Sequence, residues 1–140
     1  MDLDRAFSTF QISASGLSAE RLRMRTIAQN IANANTSARP GETPYRKREL
    51  VFQAVLDDAM SPDGLGGVRV TDVVENTAPG RVQYLPGHPH ADEQGFVRFS
   101  NVNAVTEMVD MIAASRAYES DLALLTTFKE MMQETLRLGR

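Results

Sequence analysis

The stretch with the most chemistry in it is His88-Pro89-His90-Ala91-Asp92-Glu93. Its H-x-H-x-D spacing is that of metallo-hydrolases, in which imidazoles and a carboxylate surround zinc. Such a site needs further ligands from elsewhere in the chain. His88 and His90 are the only histidines and there is no cysteine, so only carboxylates remain to complete the shell. Pro86 and Pro89 brace the stretch instead as a rigid surface loop with solvated histidines, and neither a metal nor another cofactor is expected. A second cluster, Arg46-Lys47-Arg48 beside Tyr45, is a local basic patch with Arg39 nearby. Nucleic-acid binding asks for a wider basic surface and several aromatics, whereas this chain carries a net charge of -3. The cluster reads as a solvated edge, or as a face that pairs with an acidic neighbour. No G-x-S-x-G elbow and no P-loop occurs, and Gly64-Leu65-Gly66-Gly67 lacks the lysine and the helical pattern of a phosphate cradle. The lack of cysteine excludes disulfides, thiolate metal sites and cysteine nucleophiles. No enzyme is expected from this inventory.

The elements that position these clusters are led by the stretch Asn103 to Leu138. It contains no proline, and its first glycine is Gly139. Apolar or small residues recur at Val105, Val109, Ile112, Ser115, Tyr118, Leu122, Leu125, Phe128, Met132 and Leu136. Steps of three and four predict a helix with a coiled-coil-like seam. At 1.5 Å per residue it would be roughly 50 Å long. Asn103 is placed as its N-cap, with Glu107 and Asp110 near the positive end of the dipole. Arg137 and Gly139 mark its end. From about Asp4 to Asn33 a second helical stripe runs through Phe10, Ala14, Leu17, Met24, Ile27 and Ile31. Gly16 inside that stripe reads as a break or as a close helix approach. Asn33 to Thr36 should end the helix, because Asn tolerates left-handed backbone and competes for its own peptide groups.

Between the helices the pattern turns to loops and short strands. Pro40, Gly41 and Pro44 mark a loop, and Tyr45 to Leu56 fits a short strand or a helical turn. Asp57 to Gly67 is rich in turn residues. Strands are expected over residues 68–75, 81–85 and 96–99, with a polar loop from Pro86 to Gly95. The fold class is therefore α+β: long N- and C-terminal helices form an antiparallel, coiled-coil-like pair with a small β-rich insert between them. The expected division is residues 1–36 together with 101–140 as the helical part, and 37–100 as the insert. Met108, Met111, Leu124 and Met131 lie off the principal stripe of the second helix, so a two-helix pair would leave them wet. Either other subunits cover them or the insert folds back over them. Seven methionines and no tryptophan suit adaptable helix contacts more than a large rigid core. The N-terminus has no basic region followed by an apolar run, so no cleaved signal peptide is expected. No stretch approaches the roughly 20 apolar residues of a membrane span, and no membrane insertion is expected.

Three stretches together resemble the flagellar axial family of rod and hook proteins, and within it the proximal-rod type. Near the N-terminus they are Ile12 to Leu17 and Ile27 to Thr36, an Asn-rich signature carried by Asn30, Asn33, Asn35 and Thr36. In the insert they are Pro44 to Arg48, and Pro86 to Asp92 leading to Gly95-Phe96-Val97. Near the C-terminus they are Asn101 to Ile112 and Ser115 to Glu119. The first stretch alone marks the wider axial family, and the other two narrow it. His90 departs from the pattern, an acidic residue being expected there.

The resemblance implies a structural subunit of the proximal rod of the bacterial flagellar basal body, a part of the drive shaft needed for motility. Its helices, through Leu17, Met24, Ile27, Ile31, Val105, Val109, Ile112, Leu122, Leu125 and Met132, would assemble with other rod subunits and with further copies of itself. At the base it would meet the adaptor between rod and membrane ring. It would be exported by the flagellar type III apparatus and reside in the periplasmic rod. Phe52 and Leu56 are similar to an export element, although burial in the insert accounts for them equally well. Arg46, Lys47, Arg48, His88, His90 and Asp92 would form the contact surface of the insert. Two other classes fit parts of the pattern: a helical adaptor or export partner that forms no filament, and an enzyme using the histidine loop.

Overall fold

A computed structural model describes residues 3–56 and 65–138. The elements in chain order are α1 (Leu3–Asn33), β1 (Ser37–Ala38), β2 (Arg48–Leu56), β3 (Leu65–Glu75), β4 (Val82–Tyr84), β5 (Phe96–Phe99) and α2 (Ala104–Leu138). Two long helices flank a small antiparallel β region, so the expected α+β class with terminal helices holds. The start of α2 and the end of α1 follow local chemistry. Asn103 caps α2, its Oδ1 accepting from Val105 N at 3.0 Å and Thr106 N at 3.3 Å. At the end of α1, Ala34 N donates to Ile31 O and Thr36 N donates to Asn33 O, while Thr36 Oγ1 also reaches Asn33 O at 2.7 Å. Of the turn-rich stretch expected over residues 57–67, residues 57–64 lie outside the described residues, as does the glycine stop at 139, while residues 65–67 belong instead to the start of β3.

The chain divides into two compact units, and both helices contribute to each. One unit comprises residues 24–50 and 73–112. Its three-stranded sheet has the order β1-β5-β4, all neighbours antiparallel, with Ala38 opposite Arg98 and Tyr84 opposite Phe96. Alternation along β5 turns Val97 and Phe99 inward and Phe96 and Arg98 outward. Val97 is fully buried, and Ile27, Ala34, Ala38 and Phe99 complete the apolar core. Asn30 and Glu107 are as deeply buried as that core, at 1% exposure each.

The other unit comprises residues 1–23, 51–72 and 113–140. Ala19 and Ala114 are its buried small residues, and the Phe10 and Phe128 rings meet at 6.2 Å. The two helix segments run antiparallel here, since Phe10 lies by Phe128 while Gly16 lies by Asp121. α1 passes through Gly16 without a break. A Cβ at that position would stand 3.3 Å from Asp121 Oδ2, a tight contact that fits the close-approach reading of the glycine. Ser15 Oγ donates to Ile12 O and accepts from Val68 N at 3.0 Å, tying α1 to β3. Gly67 next to it has φ of +105°, and a Cβ there would collide with the Ser15 side chain.

Tyr45 to Leu56, whose pattern fits a strand or a helical turn, contains the nine-residue strand β2. β2 pairs with β3. β1 departs from the expected loop: its two residues, Ser37 and Ala38, pair with β5.

Candidate functional site

The densest polar cluster lies inside the unit of residues 24–50 and 73–112, around Asn30. The inward side of α1 places Asn30 between Ile27 and Ala34, where an unsatisfied amide would be costly. Every hydrogen-bonding group of its side chain finds a partner. Nδ2 donates to Arg48 O at 2.9 Å and to Glu107 Oε2 at 2.8 Å. Oδ1 accepts from Tyr45 Oη at 2.9 Å and from Arg48 N at 3.0 Å. Glu107 Oε1 in turn receives Lys47 Nζ at 2.9 Å. A carboxylate with its side chain only 2% exposed is thus held by one ammonium and one amide. That hydrogen bond with Glu107 raises Lys47 above the ordinary lysine value, against the lowering effect of burial, and the negative charges of Glu107 and Glu49 add to it. Burial raises the Tyr45 phenol, opposed by the nearby charge of Arg48.

Three asparagines fix the backbone of the basic cluster. Asn30 takes both peptide groups of Arg48. Asn101 Oδ1 accepts from Lys47 N at 2.7 Å, while its Nδ2 donates to Asn76 O and Ala78 O. Asn76 N donates to Lys47 O at 2.8 Å. The basic side chains are largely engaged within the chain. Lys47 is held by Glu107, with Glu49 at 3.5 Å. Arg48 lies 3.6 Å from Glu75 and over the Tyr45 ring at 5.7 Å. Arg46 is half-buried, beside Tyr45 and Arg98 in a separate hollow. Of the other signature residues, Asn33 Nδ2 returns to Gln29 O, Thr36 caps the helix end, and Asn35 is exposed.

The histidine loop is organised as a turn. His90 N donates to His88 Nδ1 at 3.0 Å, Ser37 Oγ and His90 Nδ1 lie 2.9 Å apart, and the two imidazoles meet edge to face at 5.3 Å. Asp92 Oδ1 accepts from Gln94 N and Phe96 N, which fixes the entry to β5. Among the described residues no three His, Cys, Asp or Glu side chains converge on a point that could hold a metal ion.

The apolar residues expected to form one seam divide between two faces. Ile27 is buried, and Leu17, Met24, Ile31, Leu125 and Met132 are half-buried. Val105, Val109 and Ile112 stand in water at 72%, 61% and 56% exposure, joined by Met108, and Leu122 is also exposed. The inward place at the start of α2 belongs to Glu107 instead. A pattern built from apolar residues follows the wet face there, because a buried carboxylate contributes nothing to it. Phe52 is exposed on β2 beside a hollow lined by Gly16, Ala19, Val68 and Ala117. The side chain of Leu56 lies outside the described residues.

Asn101, Asn76 and the buried pair Lys47–Glu107 were not singled out from sequence as an internal network. The available signal was Asn30, a polar residue in the inward row of an otherwise apolar stripe.

Comparison with known proteins finds matches at both ends of the chain and over most of its length. A family model described as flagella basal body rod protein matches residues 10–37, and one described as the C-terminal part of flagellar basal body rod FlgEFG proteins matches residues 93–138. Flagellar basal-body rod protein FlgC of Salmonella typhimurium is 42% identical over 131 residues, covering 94% of this chain and 96% of that protein. The FlgC proteins of Aquifex aeolicus and Borreliella burgdorferi are 41% and 38% identical, covering 92% and 94% of this chain.

Proposed function

The chain belongs to the FlgC-type flagellar basal-body rod proteins, and from that premise we propose how this structural subunit is delivered, placed and partnered. The rod is a shared assembly, so a member of the family works among other rod components and serves motility through it. We read the subunit as non-catalytic and as held in the periplasmic part of the rod. It reaches that place through the flagellar type III export apparatus without a cleaved signal peptide. Among the described residues no helix is long and apolar enough to cross a membrane. At its base it meets the adaptor between rod and membrane ring. Residues 1–36 with 101–140 serve assembly, and residues 37–100 select the neighbour.

The observation that carries this reading is the exposed line Val105–Met108–Val109–Ile112. A contiguous apolar face at the start of a helix marks an interaction surface rather than an ordinary water-facing side. The experiment is complementation of motile cells deleted for their own FlgC. The chain should restore swimming and co-purify with basal bodies, and the triple variant Val105→Asp, Val109→Asp, Ile112→Asp should be secreted yet absent from them. A wild-type chain that is made and secreted but never found in basal bodies would overturn the reading.

A further inference from the structure

The unit of residues 24–50 and 73–112 exposes a second apolar face, unlike the first in shape. Val82, Tyr84 and Phe96 project from the outer side of the β4–β5 pair at 56%, 63% and 41% exposure. Tyr84 and Phe96 sit opposite each other in the register and pack edge to face at 5.3 Å, forming one rigid aromatic knob. The first face is a ridge, Val105–Met108–Val109–Ile112, and it runs into a groove of about 500 Å³ at the start of α2. That groove is lined by Pro79, Val102 and Val105 with Asn35, Asn103 and Arg81 among them. Its mixture of apolar wall, amide groups and a guanidinium suits an aromatic ring that carries a hydroxyl.

Resting on the rod-subunit reading, we propose that the occupant of this groove and ridge is a second copy of the same chain, seated through its Tyr84–Phe96 knob. Area supports the match. Four residues a little over half exposed leave on the order of 400 Å² of apolar surface on the ridge, and the sheet face leaves about as much. The contact would then bury roughly 1,300 Å² in all once its polar rim is counted, which lies within the range of specific protein interfaces. A rigid, exposed tyrosine is also the type of residue that dominates such contacts. Two unlike faces of one unit can meet about a twofold axis or repeat head to tail; the contact proposed is the second, which generates a ring or an open helix, the geometry that a rod requires.

The absence of cysteine permits a direct test in assembled rods. Val82→Cys and Ile112→Cys, introduced into one chain, provide its only thiols. In basal bodies from complemented cells, a short bis-maleimide should give a ladder of dimers, trimers and longer products containing this chain alone. Either single variant should give none. Tyr84→Ala should lower incorporation into basal bodies at least about tenfold, and Tyr84→Phe should retain most of it. A dimer from a single variant would mean that like faces meet, and would overturn the proposal. So would normal incorporation of Tyr84→Ala, or no ladder from a chain that restores swimming. A wild-type chain that restores no swimming and enters no basal body points instead to failure of the rod-subunit reading.

Discussion

Replacing Lys47 by Met keeps the aliphatic stem and removes the ammonium that sits 2.9 Å from Glu107. Glu107 is then a buried carboxylate with Asn30 Nδ2 as its remaining donor in the cluster. Removing one partner of a buried ion pair costs about 3–5 kcal/mol. The Lys47 side chain is 24% exposed, so water already weakens the pair somewhat, and the expected loss at pH 7 is about 3 kcal/mol. For a domain of this size that lowers Tm by about 10 °C. Glu107→Gln should cost less, about 1–2 kcal/mol, because Lys47 can turn to Glu49 and to water. Urea unfolding followed by circular dichroism at pH 7 measures both variants. A loss below about 1 kcal/mol for Lys47→Met, or a larger loss for Glu107→Gln than for Lys47→Met, would refute the reasoning.

The raised pKa values of Lys47 and Tyr45 set the alkaline limit. Both groups hold their protons more tightly when folded, so their contribution is intact below the ordinary values near 10.5 and 10.0 and is lost as pH rises through the folded ones; Tm should fall above about pH 10, and less steeply in Lys47→Met. Gly67→Ala should destabilise by about 1–3 kcal/mol, since φ of +105° and the Ser15 side chain both oppose a Cβ; adding Ser15→Ala should recover only the steric part in a thermal melt. Phe52→Ala should leave the subunit inside the cell if the exposed Phe52 belongs to an export element; normal amounts in the secreted fraction would remove that role.

Local patterns were enough to place both helices, the Asn103 cap and strands β3, β4 and β5, because periodicity and capping depend on residues a few positions apart. The nature of β2 was left open because Leu50-Val51-Phe52 suits either period, and only pairing with β3 decides it. β1 is two residues long and exists because β5 offers an edge, which no local signal announces. Gly16 was resolved by the residue opposite it, Asp121, more than a hundred positions away.

Glu107 is the instructive miss. In sequence it is an acid in the first turn of a helix, favourable to the dipole whether wet or buried. Its burial depends on Lys47, sixty positions earlier, and on Asn30, 77 positions earlier. Reading the helix from its apolar residues alone turned the expected seam toward Val105, Val109 and Ile112, which face water. That reversal has a physical consequence for an assembling subunit. A seam of Val, Ile and Met would pack against any similar helix, its own partner or a neighbour's, with little to choose between them. Glu107 breaks that equivalence, because only a partner presenting an amide and an ammonium in the right places can bury it without leaving a bare charge. Glu107 holds the start of α2 to its own chain, and the apolar line on the opposite side is thereby left exposed, as the proposed contact with another subunit requires.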